Sequence, residues 1–347
     1  MKILQVITRS ELGGAQTVVV QLSNMLSRNH EVVLAAGEGD GKMWEMVGKD
    51  VVREHCPHLQ RALSLKNDLL AAMELRRLYR KYRPDVIHLH SSKAGTLGRI
   101  VFPRKKVVYT VHGFDSVRLA FRKFLPVERL LQHFCRAVVG VSMYDKRNLV
   151  GEGIVKGVSV VYNGIDRPQT EGLKRMEAMS GYDKVVLAIA RVFPPKKPEL
   201  FVEVARLLPE YGFIWIGNQR EMTEYDLPEN CRFAGNVSNA GAYCSMADLF
   251  VLPSNYEGLP MTVIEAMSFG KPVVASDVGG ISEIVRNGLN GYVVPNEAVV
   301  FAEKIRYILE NEEVYDSMSK CAKEIFENEL TVDRMVEGYL KIYSGLL

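Results

Sequence analysis

Two glutamates eight positions apart, Glu257 and Glu265, lie on either side of a predicted helix start in the second half of the chain. An apolar run of strand length precedes the polar loop Ser254–Gly258, and Pro260 suits the first position of a helix. A strand that leads into a helix N-terminus presents free backbone N–H groups and the positive end of the helix dipole. Gly258 allows a ligand to approach the backbone closely. The stretch therefore predicts a site for a phosphorylated ligand.

Two cations, Arg191 and Lys196, follow the end of another buried apolar run. Paired positive charges at the end of a strand stabilise the negative charge that develops on a departing diphosphate. The alternative, two solvated cations beside a proline-rich turn, fits Lys197 better than Arg191. The sequence leaves open whether Lys196 or Lys197 makes the contact.

The glycine pair Gly13-Gly14 separates the first apolar run from a helical segment, Thr17–Leu26. The stretch is not a G-x-G-x-x-G fingerprint, so it gives weak support to a dinucleotide site. A glycine pair between strand and helix still allows a ligand to touch the backbone at a helix N-terminus. A simple tight turn explains the pair equally well.

Three histidines lie at the ends of buried runs in the first half. His88 and His90 share one face of a predicted strand, but no Cys or carboxylate accompanies them at metal-ligand spacing. We therefore expect buried, hydrogen-bonded histidines and no metal site. His112 ends the next run, where its side chain faces the ligand-binding edge of a parallel sheet.

Continuous Val/Ile/Leu-rich runs recur along the whole chain, separated by segments of helical length. Runs without polar alternation are typical of strands buried on both faces of a parallel sheet. Six such strands are predicted in each half: Lys2–Thr8, Glu31–Gly37, Asp85–His90, Lys106–Gly113, Ala137–Ser142 and Val158–Gly164, then Lys184–Val192, Gly212–Asn218, Cys231–Val237, Ala247–Ser254, Lys271–Gly280 and Gly291–Pro295.

This pattern predicts an α/β protein with two Rossmann-like, doubly wound domains, residues 1–165 and 166–330. A chain of 347 residues exceeds what one hydrophobic core usually serves. Asp166–Lys184 lacks an apolar run and is the best candidate linker. The last segment, Thr331–Leu347, has the apolar spacing of an amphipathic helix. The two domains are expected to face a shared ligand cleft.

Composition excludes several classes of protein. Hydrophobic residues make up 47% and charged residues 24%, which is typical of a globular and not a disordered chain. Five scattered cysteines without a C-x-x-C pair argue for a reducing compartment and against a zinc site or a disulfide framework. The start of the chain lacks a signal-peptide pattern, and no apolar stretch approaches the ~18 residues of a membrane span. A cytoplasmic location is expected.

The two halves differ in charge. Residues 1–165 carry 26 Lys and Arg against 14 Asp and Glu, a net +12, while the remainder carries −9. The basic residues are densest between Arg99 and Arg136. Such a surface suits anionic lipid headgroups or pyrophosphates, although a solvated face is almost as good an explanation. No nucleic-acid recognition motif accompanies the charge.

The two glutamates at this spacing, with Gly258-Leu259-Pro260 between them and Gly279-Gly280 nearby, resemble the donor-site motif of retaining glycosyltransferases of family 4. The resemblance runs from the first strand to the final helix. It implies the GT-B fold, in which the last helix crosses back onto the N-terminal, acceptor-binding domain. It also implies that residues 166–330 bind a nucleotide-sugar donor.

The resemblance assigns roles to individual residues. His112 positions the transferred sugar or stabilises charge, Arg191 and Lys196 hold the diphosphate, and Glu257 bonds the donor sugar. Glu265 is expected to bind the ribose hydroxyls. The remaining implied contacts are Gly13, Gly14, Gly258, Leu259, Met261 and Thr262 for the donor, and His90, Ser91 and Lys93 for the acceptor.

The implied reaction moves a sugar from a nucleotide diphosphate, with UDP favoured, to an acceptor hydroxyl with retention of configuration. No Asp-x-Asp is present, so we expect no divalent metal and no cofactor. A lipid-linked saccharide at the inner face of the plasma membrane is the expected acceptor. Two alternatives remain open: a non-hydrolysing sugar-nucleotide epimerase, and a non-catalytic sugar-nucleotide binder at a membrane surface.

Overall fold

A computed structural model describes residues 1–218, 222 and 225–346. The chain forms two compact units, Met1–Gly164 with Thr331–Leu347, and Ile165–Leu330. The strands of the first unit are β1 (Lys2–Ile7), β2 (Glu31–Ala36), β3 (Val51–His55), β4 (Val86–His90), β5 (Val107–Val111), β6 (Ala137–Gly140) and β7 (Val158–Val160). Those of the second are β8 (Val185–Ile189), β9 (Gly212–Ile216), β10 (Cys231–Phe233), β11 (Leu249–Leu252), β12 (Val273–Ser276) and β13 (Gly291–Val294).

Eleven α-helices lie in the described part of the chain. They are α1 (Gly14–Leu26), α2 (Leu65–Tyr82), α3 (Ser92–Val101), α4 (Leu125–Leu131), α5 (Met143–Gly151), α6 (Pro198–Leu207), α7 (Met261–Ser268), α8 (Ile281–Ile284), α9 (Ala298–Glu310), α10 (Glu312–Glu329) and α11 (Val332–Ser344).

The first unit is built on a parallel seven-stranded sheet in the order β3-β2-β1-β4-β5-β6-β7. The inner strands β4 and β5 are buried along their whole length, as continuous apolar runs predict for a sheet covered on both faces. β1, β4 and β5 are neighbours, and because they are parallel their carboxyl ends lie at one edge of the sheet. The residues that follow these three strands are therefore brought together.

One strand of this sheet was not predicted. β3 lies at the edge, pairs only with β2, and has a single buried residue, Val51. Its sequence, VVREH, is largely polar because an edge strand need not be apolar on both faces. The prediction of six strands in the first half was therefore wrong by one.

The last helix belongs to the first unit. α11 packs against α1, and its inward face is formed by Val332, Met335, Val336, Tyr339 and Tyr343. Thr331 caps the helix by accepting a hydrogen bond from the Arg334 amide. The amphipathic helix expected from the spacing is present, and it supplies two buried tyrosines to the centre of the first unit.

The second unit contains a parallel six-stranded sheet in the order β10-β9-β8-β11-β12-β13. Its central strands, β8, β11 and β12, are fully buried. The largest buried side chain of this core is Trp215 on β9, which packs edge-to-face on Phe201 of α6. All six strands expected in this half are present, although shorter than predicted.

Two helix starts differ from the sequence expectation. Pro260 is the N-cap of α7 and not its first residue, and α1 begins at Gly14 instead of Thr17. Pro126 lies in the first turn of α4, where a missing N–H costs nothing. α7 ends at Ser268, and Gly270 just beyond it adopts a left-handed φ of 67°.

The predicted linker, Asp166–Lys184, contains one 3-10 turn, Glu177–Met179, and otherwise neither helix nor strand. Among the described residues, no helix is both long enough and apolar enough to cross a membrane.

Candidate functional site

The loops after β8, β11 and β12 meet at the carboxyl edge of the second sheet. Lys196 and Ser254 form an isolated antiparallel bridge, and the Asn255 amide donates to the Pro195 carbonyl at 2.9 Å. The Gly280 amide donates to the Gly258 carbonyl, also at 2.9 Å. These backbone bonds join the loops that carry Lys196, Glu257 and Gly258, three of the residues predicted to contact the donor.

Lys196 is placed by an ion pair with Glu257. The Lys196 ammonium donates to Glu257 Oε1, and both side chains are largely shielded from solvent, with 17% and 11% exposed. Lys197 instead pairs with the exposed Glu199 at 3.2 Å, at the start of α6. The sequence left the two lysines undecided. The structure puts Lys196, and not Lys197, in contact with Glu257.

A buried polar cluster beneath this loop anchors it. Ser276 Oγ accepts from the Ser254 amide at 2.8 Å and bonds to Asn296 Oδ1 at 2.5 Å. Asn296 Nδ2 donates to the Ser254 carbonyl at 3.0 Å. Gly279 has φ 61°, and a Cβ there would lie 2.0 Å from the Glu257 carbonyl oxygen. The loop that carries Glu257 is thus held by the hydrogen bonds to Ser254 and by the close packing of Gly279 on the Glu257 carbonyl.

The N-terminus of α7 points out of the same cluster of loops. The first intrahelical bond runs from the Ile264 amide to the Pro260 carbonyl. In the described part of the chain, the amides of Met261, Thr262 and Val263 have no acceptor, as expected at a helix start. Leu259 and Met261 bury their side chains, so any ligand contact from Met261 is through its backbone.

Glu265, on the first turns of α7, faces the backbone of Gly241. A Cβ on Gly241 would lie 2.7 Å from the Glu265 carboxyl carbon, so a larger residue at that position would displace this carboxyl group. Burial raises the pKa of Glu265 to about 7. Its carboxyl oxygens have no hydrogen-bond donor among the described residues. The Glu265 carboxyl is therefore a partly shielded hydrogen-bond acceptor that is available to a ligand.

Arg191 follows β8 with its side chain exposed. Next to it, Gly217 has φ 114°, and a Cβ there would lie 2.5 Å from the Ala190 carbonyl oxygen. Asn218 accepts from the Gly235 amide at 2.7 Å and joins this loop to the end of β10. Gln219, the next residue of the chain, lies outside the described residues.

The first unit has a second site at the carboxyl ends of β1, β4 and β5. Gly13 is the N-cap of α1 and supplies no side-chain cap, and Gly14 is the first helical residue and is exposed. The first intrahelical bond joins the Thr17 amide to the Gly13 carbonyl at 2.9 Å. The glycine pair thus leaves the helix start open to a ligand.

His112 and His90 lie next to each other at this edge. His90 Nδ1 is 3.0 Å from His112 Nε2, and His90 Nε2 is 2.8 Å from Gln5 Oε1. His90 is fully buried, so a direct contact between His90 and an acceptor, as the sequence suggested, is not what its geometry provides. His112 is half-buried, and burial lowers its pKa to about 4.

A chain of buried polar groups continues behind these histidines. Tyr343 of α11 bonds to His88 Nδ1 at 2.6 Å and accepts from Gln5 Nε2 at 3.4 Å. His88 Nε2 bonds to Thr110 Oγ1 at 2.7 Å, and Thr110 bonds to Tyr339 at 3.1 Å. Sequence reasoning missed Gln5 and both tyrosines. The available signal was one amide inside the otherwise apolar strand KILQVI.

The other two predicted acceptor residues flank this cluster. Ser91 has a left-handed φ of 69° and bonds to Thr8 Oγ1 at 2.6 Å, which joins the ends of β1 and β4. Lys93 forms an ion pair with Asp68 at 2.5 Å, with 11% of its side chain exposed. Acceptor contacts by Ser91 and Lys93 stay predictions. Within the described chain, no group of three or more His, Cys, Asp or Glu residues is arranged to hold a metal ion.

A basic cavity of about 580 Å³ lies at the opposite edge of the first sheet. Four of its lining residues are cations that precede β5, β6 and β7: Arg104, Lys105, Arg136 and Lys156. The neighbouring segment 116–134, which contains α4, has five exposed apolar side chains along its length. They are Leu119, Phe121, Val127, Leu130 and Phe134.

Comparison with known families matches almost the whole chain. Residues 12–168 match the model described as Glycosyltransferase Family 4, and residues 171–325 match Glycosyl transferases group 1. The two matches correspond closely to the two compact units.

Curated relatives cover the full length. One is the UDP-Gal:alpha-D-GlcNAc-diphosphoundecaprenol alpha-1,3-galactosyltransferase of Escherichia coli, 26% identical over 100% of this chain and 97% of its own. Another is the O-antigen biosynthesis glycosyltransferase WbnH of Escherichia coli, 26% identical over 99% and 98%.

Solved structures share the fold. The sucrose-phosphate synthase of Thermosynechococcus elongatus superimposes with a TM-score of 0.84 at 20% identity, over 99% of this chain and 98% of that one. Anabaena HepE, in complex with UDP and glucose, gives 0.81 at 21% identity, over 99% of both chains.

Proposed function

This chain belongs to the group 1, family 4 glycosyltransferases of the GT-B fold, and we propose that it transfers a sugar, with retention, from a UDP-sugar to a saccharide hydroxyl. One observation carries the assignment of the donor site. At the carboxyl edge of the second sheet, the Lys196–Glu257 pair lies beside the open start of α7, and the Glu265 carboxyl, unpaired among the described residues, lies about one turn further along this helix. The positive charge of Lys196 and the free amides of α7 suit a diphosphate, and the Glu265 carboxyl suits the hydroxyls of a ribose.

In the proposed reaction the bond from the anomeric carbon to the diphosphate oxygen breaks, and a bond to the acceptor oxygen forms. Arg191, Lys196 and the amides of α7 stabilise the negative charge on the departing nucleotide. Glu257 holds Lys196 in place and bonds a hydroxyl of the donor sugar. Gly13 and Gly14 are proposed to offer backbone N–H groups to the donor.

Glu265 is proposed to bind the two ribose hydroxyls. A carboxylate that accepts two hydrogen bonds is stabilised in its charged form, so donor binding should lower the raised pKa of Glu265. The residue therefore acts as a binding group and not as a nucleophile.

We propose that the transfer requires no divalent cation, because protein cations and helix amides supply the positive charge that a metal would otherwise provide. Activity is expected to be unchanged after treatment with EDTA, and a loss restored by Mg²⁺ or Mn²⁺ would contradict this.

The acceptor is proposed to be a lipid-linked saccharide in the assembly of a surface polysaccharide. The support is the names of two full-length relatives, one acting on a diphosphoundecaprenol-linked sugar and one in O-antigen biosynthesis. UDP is favoured as the donor nucleotide because the first of these relatives is named for UDP-Gal.

We further propose that the first unit associates with anionic membrane at the cytoplasmic face. The four cations around the basic cavity attract acidic headgroups, and the exposed apolar side chains of segment 116–134 suit the headgroup–acyl boundary. Flotation with phosphatidylglycerol vesicles tests this. The double variant Arg104→Glu, Lys105→Glu should lose binding, whereas the matched exposed pair Lys320→Glu, Lys323→Glu on α10 should keep it.

Two other functions are compatible with parts of the site. An epimerase would convert the nucleotide sugar without any acceptor, and a non-catalytic binder would take it up without turnover. The transferase is preferred because both halves of the chain match glycosyltransferase models.

The direct experiment is a thermal-shift panel of UDP-, GDP-, ADP- and TDP-sugars, followed by acceptor screening with the donor that stabilises the protein most. We expect one UDP-sugar to raise Tm and to release UDP only when an acceptor is present. Epimerised donor without acceptor would instead support the isomerase, and a shift without turnover on any acceptor would support the binder.

A further inference from the structure

The basic cavity at the amino edge of the first sheet collects cations from three neighbouring strands. Arg104 and Lys105 precede β5, Arg136 precedes β6, and Lys156 precedes β7. Because β5, β6 and β7 are parallel neighbours, their amino ends lie at one edge of the sheet. The four side chains therefore line one concavity, although they are distant from one another in the sequence.

The backbone that carries two of these cations is held firmly in place. Gln132 is 5% exposed, and its Oε1 accepts hydrogen bonds from the amides of Val155 and Lys156 at 2.8 and 3.0 Å. Its Nε2 donates to two other backbone carbonyls. Gly157 has a left-handed φ of 61°, and a Cβ there would lie 2.4 Å from the Arg136 carbonyl oxygen. The turn before β7 is thus fixed against the start of β6, and the positions of Arg136 and Lys156 are built into the fold.

The four cations around the basic cavity differ from other cations of the same region in having no acidic partner. Four nearby arginines are paired: Arg99 with Glu128, Arg118 with Asp115, and both Arg122 and Arg129 with Glu152. Among the described residues, no Asp or Glu pairs with the four cavity cations, and none lines the cavity. Like charges around one concavity repel one another, and a bound anion removes this repulsion.

We propose that the basic cavity binds the headgroup of one anionic lipid, and that this headgroup carries two phosphates. Four cations without an acid among them match the charge of two phosphate groups better than that of a single phosphodiester. The volume of about 580 Å³ is in the range of sites for small molecules. The inference rests on the proposed membrane association of the first unit and replaces a diffuse attraction by one stoichiometric site.

The apolar surroundings of the cavity favour a lipid over a soluble diphosphate. Cys135 and Leu346 line the cavity together with the cations. Phe134, next to Cys135 in the chain, is 42% exposed, and Leu130, about one turn earlier, is 61% exposed. Exposed apolar side chains beside a basic site suit the boundary between headgroups and acyl chains, whereas a free anion gains nothing from them.

The lipid in this cavity is an anchor and not the acceptor. The predicted acceptor residues His90, Ser91 and Lys93 lie at the carboxyl end of β4 and just beyond it, while the cavity lies at the amino edge of the same sheet. β4 and β5 are each five residues long, so the two edges are roughly 15 Å apart. A headgroup bound in the cavity therefore leaves the predicted acceptor residues free.

The test is co-sedimentation of the whole protein with phosphatidylcholine vesicles that contain either phosphatidylglycerol or cardiolipin. Cardiolipin carries two phosphates in one headgroup, and the two vesicle types are prepared with the same total negative charge. We expect roughly 10-fold tighter binding to the cardiolipin vesicles. Pyrophosphate, at an ionic strength kept constant with NaCl, should displace the protein from them. Equal binding to both vesicle types overturns the inference.

A soluble ligand gives a different result. If pyrophosphate binds the free protein and the vesicles show no preference for cardiolipin, the cavity is a site for a soluble diphosphate, and the lipid is excluded as its occupant. Binding of pyrophosphate is measured by calorimetry on the same preparation.

Two matched double variants locate the effect. Arg136→Gln with Lys156→Gln removes two cavity cations and should abolish the preference for cardiolipin. Arg122→Gln with Lys123→Gln removes the same charge from the exposed surface of segment 116–134 and should keep the preference. Both variants are compared with wild type in Tm, and Arg104→Gln with Lys105→Gln takes the place of a cavity variant that does not fold. A preference that survives in the cavity variant, or is lost equally in both, overturns the inference.

The inference and the proposed function fail in different ways. Equal binding to both vesicle types leaves the proposed membrane association standing and contradicts only the site for two phosphates. Absence of binding to either vesicle type contradicts both. Sugar transfer to an acceptor in solution is measured separately, and its absence would contradict the proposed activity without affecting the vesicle result.

Discussion

Each of the two candidate sites lies at the carboxyl edge of a parallel sheet, but one consists of neutral side chains and the other of charged ones. In the first unit, neutral side chains bond one another in a nearly closed network around Gln5, His88 and His90. In the second, charged side chains meet at a loop cluster, and Glu265 has its carboxyl unpaired among the described residues. The polar groups of the first site mostly bond one another, whereas the second site is charged and has an acceptor that no described residue pairs.

This difference separates the two candidate sites by the ligand group that each of them suits. A departing nucleotide diphosphate needs charge and free donors, which the second unit has. A sugar needs fixed hydrogen-bond directions, which the first unit has. Burial shifts pKa values in opposite directions at the two sites: it lowers the pKa values of the histidines and raises the pKa of Glu265. Both groups are thereby held closer to neutral before a ligand binds.

The largest effect is expected from Lys196→Ala. Loss of one preorganised charge at the diphosphate should reduce turnover by roughly 10²-fold to 10³-fold. Arg191→Ala should fall in the same range. Lys197→Ala is the matched control, because Lys197 pairs with exposed Glu199, and it should stay within a few fold of wild type. Steady-state kcat at saturating donor measures this, and equal losses at Lys196 and Lys197 would contradict the assignment.

A smaller loss, in binding more than in turnover, is expected from Glu265→Ala. Removing both ribose hydrogen bonds should raise the donor KM by roughly 10-fold to 100-fold, with kcat changed much less. Unchanged donor affinity would remove Glu265 from the ribose. Glu283→Ala, an acid of the same unit on α8, serves as the control and should leave the donor KM near its wild-type value.

Glu265→Gln should stabilise the ligand-free second unit at high pH. Between pH 4.5 and about 7 the folded state holds a proton on Glu265 that the unfolded state releases, so stability falls as pH rises through this window. The variant should therefore gain about 1–3 kcal/mol over wild type at pH 8 and much less at pH 5. Urea unfolding in a Trp44→Phe background, where Trp215 alone reports the second unit, measures this. A pH-independent difference would contradict the raised pKa.

The first unit should respond in the opposite direction. Its buried histidines have pKa values below that of an unfolded histidine, so stability is lost as pH falls below about 6.5. We expect about 1–2 kcal/mol per histidine between pH 6.5 and 5. A Trp215→Phe background leaves Trp44 as reporter. His112→Gln should make the acid slope shallower, and His133→Gln, an exposed histidine, should not.

The architecture was predictable because apolar runs report strands that are buried on both faces. β4, β5, β8, β11 and β12 all follow that rule. β3 was missed because an edge strand is exempt from it. The start of α7 was misplaced by one position, since proline is compatible with several places at the start of a helix.

Some residues of the candidate site could be named before the structure, because their types, their spacing and a family resemblance indicate a chemistry. Lys196, Glu257 and Glu265 were named from charge, spacing and family resemblance, and the structure adds which of them touch. The choice between Lys196 and Lys197 depends on the bridge to Ser254, which brings together distant parts of the chain. The Gln5–His90–His112 network was out of reach for the same reason, since its members lie up to 107 positions apart and its last partner is on α11.

The most direct test of the central claim is a crystal structure with the stabilising UDP-sugar bound. We expect diphosphate oxygens at about 2.7–3.2 Å from Lys196 Nζ and from an amide at the start of α7, with the ribose hydroxyls on Glu265. A nucleotide bound away from Arg191, Lys196, Glu257 and Glu265 would contradict the account.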